Sequence, residues 1–225
     1  MNLTLTVCGC EEGEKITHWG HSSQLKYLIM SETNTPTEPK AYFESPSGVV
    51  LRDAEEGDIP EIQAIYSHYV LNDLASFEID PPDEQEMMAR WRSINTNKLP
   101  FFVADVNDVV GGYAYTSHFR PRPGYINSVE DSVYVSPQFL GQGIGELLLN
   151  TLVENCAELG YRQMIAVIGN SGNSPSINLH LKCGFENAGI LKSAGYKHGG
   201  WVDSVLMQRS LGKGDSEPPS LPNDG

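Results

Sequence analysis

From residue 49 onward the chain alternates between β-rich runs and stretches with helical spacing of apolar residues. Val49 to Arg52 reads as a short strand. Asp58 then stands where a helix cap belongs, with Pro60 in the first turn and Glu61 three residues after the cap. Such a capping box satisfies free amides at a helix start. Ile59, Ile62, Ile65, Tyr66 and Tyr69 line one helical face. Asp83 opens a second helix through Ile94, carrying Met87, Met88 and Trp91. Phe101–Val106 and Val109–Phe119 are strands joined by Asn107-Asp108, a polar pair suited to a hairpin turn. Arg120 to Gly124 is a Pro-rich loop, and Ile126 to Val135 a further strand. Gly143 to Leu159 is an amphipathic helix with Leu147, Leu148, Leu152 and Val153 inward, stopped by Gly160. Met164 to Ile168 is a short apolar strand of the buried type. Ser174-Pro175 starts a last helix through Cys183, stopped by Gly184. Two strands follow, near Phe185–Leu191 and Val202–Arg209. The order β-α-α-β-β-β-α-β-α-β-β predicts an α/β fold on a sheet of mixed direction.

The flanks lack this patterning. Residues 31–48 are polar and rich in Pro, Thr and Ser, and read as a linker or disordered arm. Residues 211–225 read the same way, as a disordered tail. The folded domain is therefore expected over 49–210, behind an extension of residues 1–48. Met30 precedes the Thr/Pro/Glu-rich stretch, so the first 29 residues read as an optional extension or an alternative start. The first arginine is Arg52, which argues against an Arg-rich transit peptide. Cys8 and Cys10 form a C-x-C pair with no second pair nearby, so no metal site is expected there. Cys156 and Cys183 fall in helical patterns and are expected to pack as small apolar residues. Such cysteine usage fits a reducing compartment, the cytoplasm.

Charge narrows the partners. Fifteen basic and 29 acidic residues give a formal charge of −14. Residues 1–48 carry −3, 49–112 carry −9, 113–210 are neutral with seven of each sign, and 211–225 carry −2. A chain this acidic is expected to bind neither nucleic acid nor an anionic membrane surface, since phosphate backbones are held by clustered Lys and Arg. It has no run of about 18 apolar residues, the length expected of a spanning helix.

The neutral segment holds the sharpest motif. In VYVSPQFLGQGIGELLLNTLV, residues 133–153, a β-rich run ends, three alternate glycines follow, and a helix begins. Gly141, Gly143 and Gly145 let the backbone approach a ligand closely. Free N–H groups at the helix start point to the same place, and the helix dipole favours an anion there. An acidic protein can hold a pyrophosphate in this way without basic side chains. Glu146 after Gly145 excludes a Walker loop and also breaks the dinucleotide fingerprint.

Loop 140–145, in its strand-to-helix setting, resembles the acyl-CoA-binding motif of the GNAT superfamily of N-acetyltransferases, with Leu140 where Arg or Gln is usual. The block from Asn173 to Phe185 resembles that family's following motif, in the expected order and about thirty residues on. Phe119–Tyr125, Ser128–Val135 and Gly195–Trp201 are similar to the branch that acetylates phosphinothricin, methionine sulfone and methionine sulfoximine. The likeness covers about residues 49–210. It implies a mixed, mostly antiparallel central sheet flanked by helices, and acetyl-CoA as co-substrate.

The resemblance also implies site residues. The backbone of Val133, Tyr134 and Val135 would pair with the pantetheine arm like an added strand. Gly141, Gln142, Gly143, Ile144, Gly145 and Glu146 would cradle the pyrophosphate, and Asn173 and Ser176 would bond the arm. Glu130 is implied as the general base; strand alternation puts it with Ser128, Ser132 and Tyr134, and puts Asp131 with Val129, Val133 and Val135. A bulge would alter that assignment, and Asp131 stays in competition. His180, where many relatives carry Tyr, would protonate the leaving thiolate, orient the sulfur, or simply pack. Arg120, Pro121 and Arg122, with Asp131 and Ser132, would hold the acceptor, because guanidinium forks suit carboxylate, phosphinate or sulfone oxygens. The Lys197–Trp201 turn is either a plain hairpin turn or a lining of the acceptor pocket, within the chain or across a homodimer. These readings make the chain an N-acetyltransferase for a small amino acid or analogue. The alternatives are an enzyme for another small amine or peptide terminus, and a non-catalytic acyl-CoA-binding module.

Overall fold

A computed structural model describes residues 48–219 and the backbone of strand Ala41–Glu44. The Cys8–Cys10 pair and the alternative start at Met30 lie outside the described residues. Among the described residues eight strands and four α-helices follow one another: β1 (Ala41–Glu44), β2 (Val49–Asp53), α1 (Ile59–Asn72), α2 (Glu84–Thr96), β3 (Phe101–Val106), β4 (Val110–His118), β5 (Ser128–Val135), α3 (Ile144–Glu158), β6 (Gln163–Gly169), α4 (Ser174–Lys182), β7 (Glu186–Lys197) and β8 (Gly200–Ser210). They build one sheet in the order β1-β2-β3-β4-β5-β6-β8-β7. Every neighbouring pair is antiparallel except β5 and β6. This is the mixed, mostly antiparallel sheet expected above.

Alternation on the central strands sorts the helices onto two faces. Tyr134 of β5 packs its ring on Tyr66 and Tyr69 of α1. Its neighbour Val135 faces the other way, toward Gly145 of α3. Gly112 of β4 lies so close to Ile144 and Leu148 of α3 that an added Cβ would sit 3.2 Å from both, and 2.9 Å from the Tyr134 carbonyl. A side chain there would push α3 off the sheet. On α3 the buried stripe is Ile144, Leu148, Leu149, Leu152, Val153 and Cys156. Each large aliphatic group in it contributes roughly 1.5–3 kcal/mol by leaving water. Leu149 takes the inward place expected of Leu147, which is only half-buried.

Several local expectations hold and a few are corrected. Asn107 and Asp108 both adopt positive φ (53° and 64°), the geometry of a tight hairpin turn. Asp83 caps α2 by accepting the Glu86 N–H at 2.8 Å. Asp58 does not cap α1 with its side chain. Its carboxylate accepts from the Glu55 N–H at 2.7 Å and from the Arg52 guanidinium at 2.8 and 2.9 Å. Glu61 turns away as well and accepts the Val110 N–H at 2.8 Å. An arginine two-pronged contact outcompetes a cap because it is charge-assisted at both oxygens.

The domain is longer at both ends than the polarity pattern implied. β1 forms inside the stretch read as linker and pairs with β2. After β8, Leu211 is buried, its N–H bonds to the Arg162 carbonyl, and Arg162 reaches the carbonyls of Gly214 and Pro218. One apolar residue and one arginine anchor a segment whose composition alone reads as tail. The last hairpin is also longer, with both strands running to a turn at His198 and Gly199, where φ is positive.

Candidate active site

The parallel pair β5–β6 matches for three residue pairs only, Ser128–Gln163 to Glu130–Ile165. Beyond Glu130 the two strands part. The fork opens a cleft of about 270 Å³ lined by β5 residues Glu130 to Tyr134, by β6 residues Ala166 to Gly169, and by Asn173, Ser176 and His180 of the α4 segment. No register shift separates β4 from β5, so the bulge that would have exchanged Glu130 and Asp131 is absent. The simple alternation decides where each acid points.

Glu130 lies half-buried at the mouth of the fork, on the face of α1. Burial pushes its carboxyl above the usual range, the Asp131 charge adds to this, and the Arg120 guanidinium opposes it. Ser132, on the same face, is the cross-strand partner of Tyr115 of β4. Asp131 points to the opposite face, where its side chain is only 2% exposed. Its Oδ2 is 3.0 Å from His180 Nε2, and Oδ1 is buried without a hydrogen-bond partner among the described residues. Asp131 lines the cleft, with its Oδ2 turned toward α4. His180 Nδ1 lies 2.7 Å from the Ser176 carbonyl. Both ring nitrogens thus face oxygens of the protein.

The glycine loop has the predicted shape. Gly141 and Gly143 adopt φ of 75° and 83°, which an L side chain rarely tolerates. Gly143 is the residue before α3, and the first turn beyond it presents the free amides of a helix start. A Cβ added at Gly141 or Gly143 would meet nothing within 4 Å, so the loop surface is open for a ligand. Gly145 packs on Leu179 of α4, 3.2 Å from where its Cβ would sit. Ile144 points into the core, Gln142 bonds weakly to the Gln138 carbonyl at 3.4 Å, and Glu146 pairs with Lys182. Asn173 caps α4 by accepting the Ser176 N–H at 3.3 Å. Val133 and Tyr134 line the cleft, while the Val135 carbonyl already accepts the Tyr69 hydroxyl at 2.6 Å.

The arginine loop lies outside the fork. Arg120 is exposed, with its guanidinium 5.0 Å from the Phe119 ring centre and 5.9 Å from that of Tyr125. Pro121 and Arg122 are exposed too, and none of the three lines the cleft. Arg120 is brought within electrostatic reach of Glu130.

Sequence reasoning missed the wall supplied by α1 and the α1–α2 loop. Tyr66, Ala75 and Phe77 line the cleft, as does Tyr115 of β4. Phe77 packs against Gly195 of β7, where a Cβ would come within 2.1 Å of its ring. Lys197, buried at the end of β7, donates to the Ser76 carbonyl at 2.6 Å. Burial pulls its ammonium below the usual lysine range. Tyr66 bonds to both Ser76 and Glu78. Of these residues only Tyr66 was placed, on the apolar face of α1, because aromatic residues on an amphipathic face carry no mark of the ligand side. Trp201, in the turn read either as a plain hairpin turn or as a lining of the acceptor pocket, is exposed and meets Tyr196 edge-to-face at 5.4 Å.

A splayed parallel strand pair with an open glycine loop at a helix start is the frame of an acyl-CoA-dependent transferase. A family profile described as "Acetyltransferase (GNAT) domain" matches residues 51–206. The chain belongs to the GNAT acetyltransferase family and is an N-acetyltransferase that uses acetyl-CoA as co-substrate. It is 48% identical over 169 residues to a phosphinothricin N-acetyltransferase of Alcaligenes faecalis, covering 75% of this chain and 86% of that one. It is 38% identical to an L-methionine sulfoximine/L-methionine sulfone acetyltransferase of Pseudomonas paraeruginosa, covering 75% and 98%. A crystal structure of a GNAT superfamily phosphinothricin acetyltransferase from Sinorhizobium meliloti, in complex with AcCoA, superposes with a TM-score of 0.74 at 47% identity, over 76% of this chain and 93% of that one.

Proposed function

We propose that the protein acetylates the α-amino group of a small amino acid or analogue of the phosphinothricin, methionine sulfone or methionine sulfoximine kind, by direct transfer with Glu130 as general base. The observation that carries this is the half-buried Glu130 carboxyl at the mouth of the fork, held above its usual pKa range and facing the aromatic wall. A carboxylate there accepts the proton that the amine gives up as its nitrogen attacks. Bound acetyl-CoA supplies an activated thioester, so direct attack suffices and no covalent enzyme intermediate is needed.

The chain's own residues divide the remaining work. Loop residues Gly141–Glu146 offer backbone N–H groups to the pyrophosphate. The backbone of Val133–Val135, where the Val135 carbonyl already accepts the Tyr69 hydroxyl, and the polar groups of Asn173 and Ser176 hold the pantetheine arm. Ser132 orients the amine side, and Tyr66, Phe77 and Tyr115 wall the acceptor's side chain. Arg120 and Arg122 hold its carboxylate, phosphinate or sulfone oxygens. The relatives named for such acceptors support this choice. The end strand β7 has an open edge and exposes Ile190, Leu191 and Tyr196, with Trp201 beside them, which fits a homodimer through this hairpin. Buried free thiols at Cys156 and Cys183 fit the cytoplasm.

The test is thiol release from acetyl-CoA with a panel of L-amino acids, methionine sulfone, methionine sulfoximine and phosphinothricin. Turnover is expected with the oxyanion-bearing analogues. Tight acetyl-CoA binding with no turnover on any acceptor would overturn the proposal in favour of a binding module.

A further inference from the structure

Asp131 is the first β5 residue past the point where β5 and β6 part. Its carboxylate crosses to α4, the helix that follows β6, and meets His180 at 3.0 Å. The same ring reaches the Ser176 carbonyl at 2.7 Å, one turn back on α4. The two side chains are 2% and 5% exposed. Both oxygens facing the ring are acceptors. A neutral imidazole has one N–H and would leave one contact unsatisfied, whereas an imidazolium donates to both. Burial by itself would lower the His180 pKa, but the bond and charge of Asp131 and the Ser176 carbonyl outweigh it, and the net direction is up. The other titratable groups packed nearby are Cys156 of α3 and Cys183 just past α4, whose thiols burial pushes up to about 12 and about 11, so they stay neutral. Glu130 faces the opposite side of the sheet.

We infer that Asp131 and His180 form a buried ion pair that bolts β5 to α4 across the fork, a positioning pair that sets the width of the cleft taking the acetyl-CoA arm. This rests on the reading of the fork as the place of that arm. Without the pair, α4 is free to shift against β5, and Ser176 and Asn173 shift with it. Neither acid nor base chemistry is assigned to the pair; it acts through the residues it holds.

The experiment combines NMR titration of the histidine ring signals with calorimetric acetyl-CoA binding across pH, on the full chain. His180→Gln identifies the His180 signal. In the unsubstituted protein His180 is expected to titrate above the ordinary histidine value, and acetyl-CoA binding to weaken as pH rises through that titration. In Asp131→Asn the titration should fall to lower pH, and the weakening should move with it. The loss in kcat/KM is expected to be on the order of tenfold to a hundredfold, the scale of a small misplacement of reacting groups. An unchanged His180 titration in Asp131→Asn would overturn the inference. So would acetyl-CoA binding in the unsubstituted protein that ignores pH across the His180 titration, a result that needs no variant to fold. Ser176→Trp separates the two levels. If it leaves acetyl-CoA binding intact, the arm does not lie in the fork and the underlying reading fails. If it blocks binding while Asp131→Asn matches the unsubstituted protein, the pair alone is misassigned.

Discussion

Two adjacent acids in β5 meet different fates because a strand alternates its side chains. Glu130 meets the cleft mouth half-wet, and Asp131 is sealed against α4. Glu130→Gln removes the proposed proton acceptor and keeps the shape. It should lower kcat by about 10²- to 10⁴-fold with little change in acetyl-CoA affinity, read from steady-state rates beside calorimetry. A carboxylate base works only when ionised, and the Glu130 pKa is raised. Activity should therefore fall as pH drops through a value above the ordinary glutamate range. Arg120 opposes that rise. In Arg120→Ala the acid limb of the kcat/KM profile should move to higher pH, and KM for the amino acid should increase while KM for acetyl-CoA holds. A limb that stays in place would remove Arg120 from the neighbourhood of the base. The face that Glu130 takes was legible from strand alternation. The partner of Asp131 was not, since 49 positions separate it from His180.

Among the elements, the loop ahead of α3 carries the most local information. Gly143 precedes the helix at φ 83°, where an L side chain costs roughly 1–2 kcal/mol. Gly143→Ala should weaken acetyl-CoA binding and leave acceptor KM alone, measurable by titration calorimetry. The α1–α2 loop behaves in the opposite sense. Nothing in its residues announces that Phe77 lies on Gly195 or that Lys197 holds the Ser76 carbonyl. Gly195→Ala would drive a methyl into the Phe77 ring and displace that wall. Acceptor KM should then rise while acetyl-CoA binding persists. Strand and helix positions were readable because their periods are local. Element ends were less so, since polar termini such as 41–44 and 211–219 join the fold through contacts with distant residues.

For the molecule as a whole, stability draws on groups far from the cleft. Leu211 is sealed beneath the segment that Arg162 gathers. Leu211→Ala should cost about 2–5 kcal/mol in urea unfolding, the usual range for a large apolar side chain lost from a core. Glu154 on α3 is raised to about 7, mainly by burial, then by Glu158, with Arg209 opposing. An acid held above its unfolded value favours the fold at low pH and loses that advantage as pH rises toward its folded value. Glu154→Gln should therefore be more stable than the parent at pH 8, with the gap closing toward pH 4. The formal charge of −14 does not count against an anionic co-substrate, because the glycine loop lies in the neutral 113–210 segment and offers backbone amides. By itself the sequence determined the strands and helices, the glycine loop, and the alternation that separates Glu130 from Asp131, because each depends on neighbours a few residues away. Tertiary structure alone decided the fork, the Asp131–His180 bond, the aromatic wall and the true ends of the domain, because each arises where distant segments pack and exclude water.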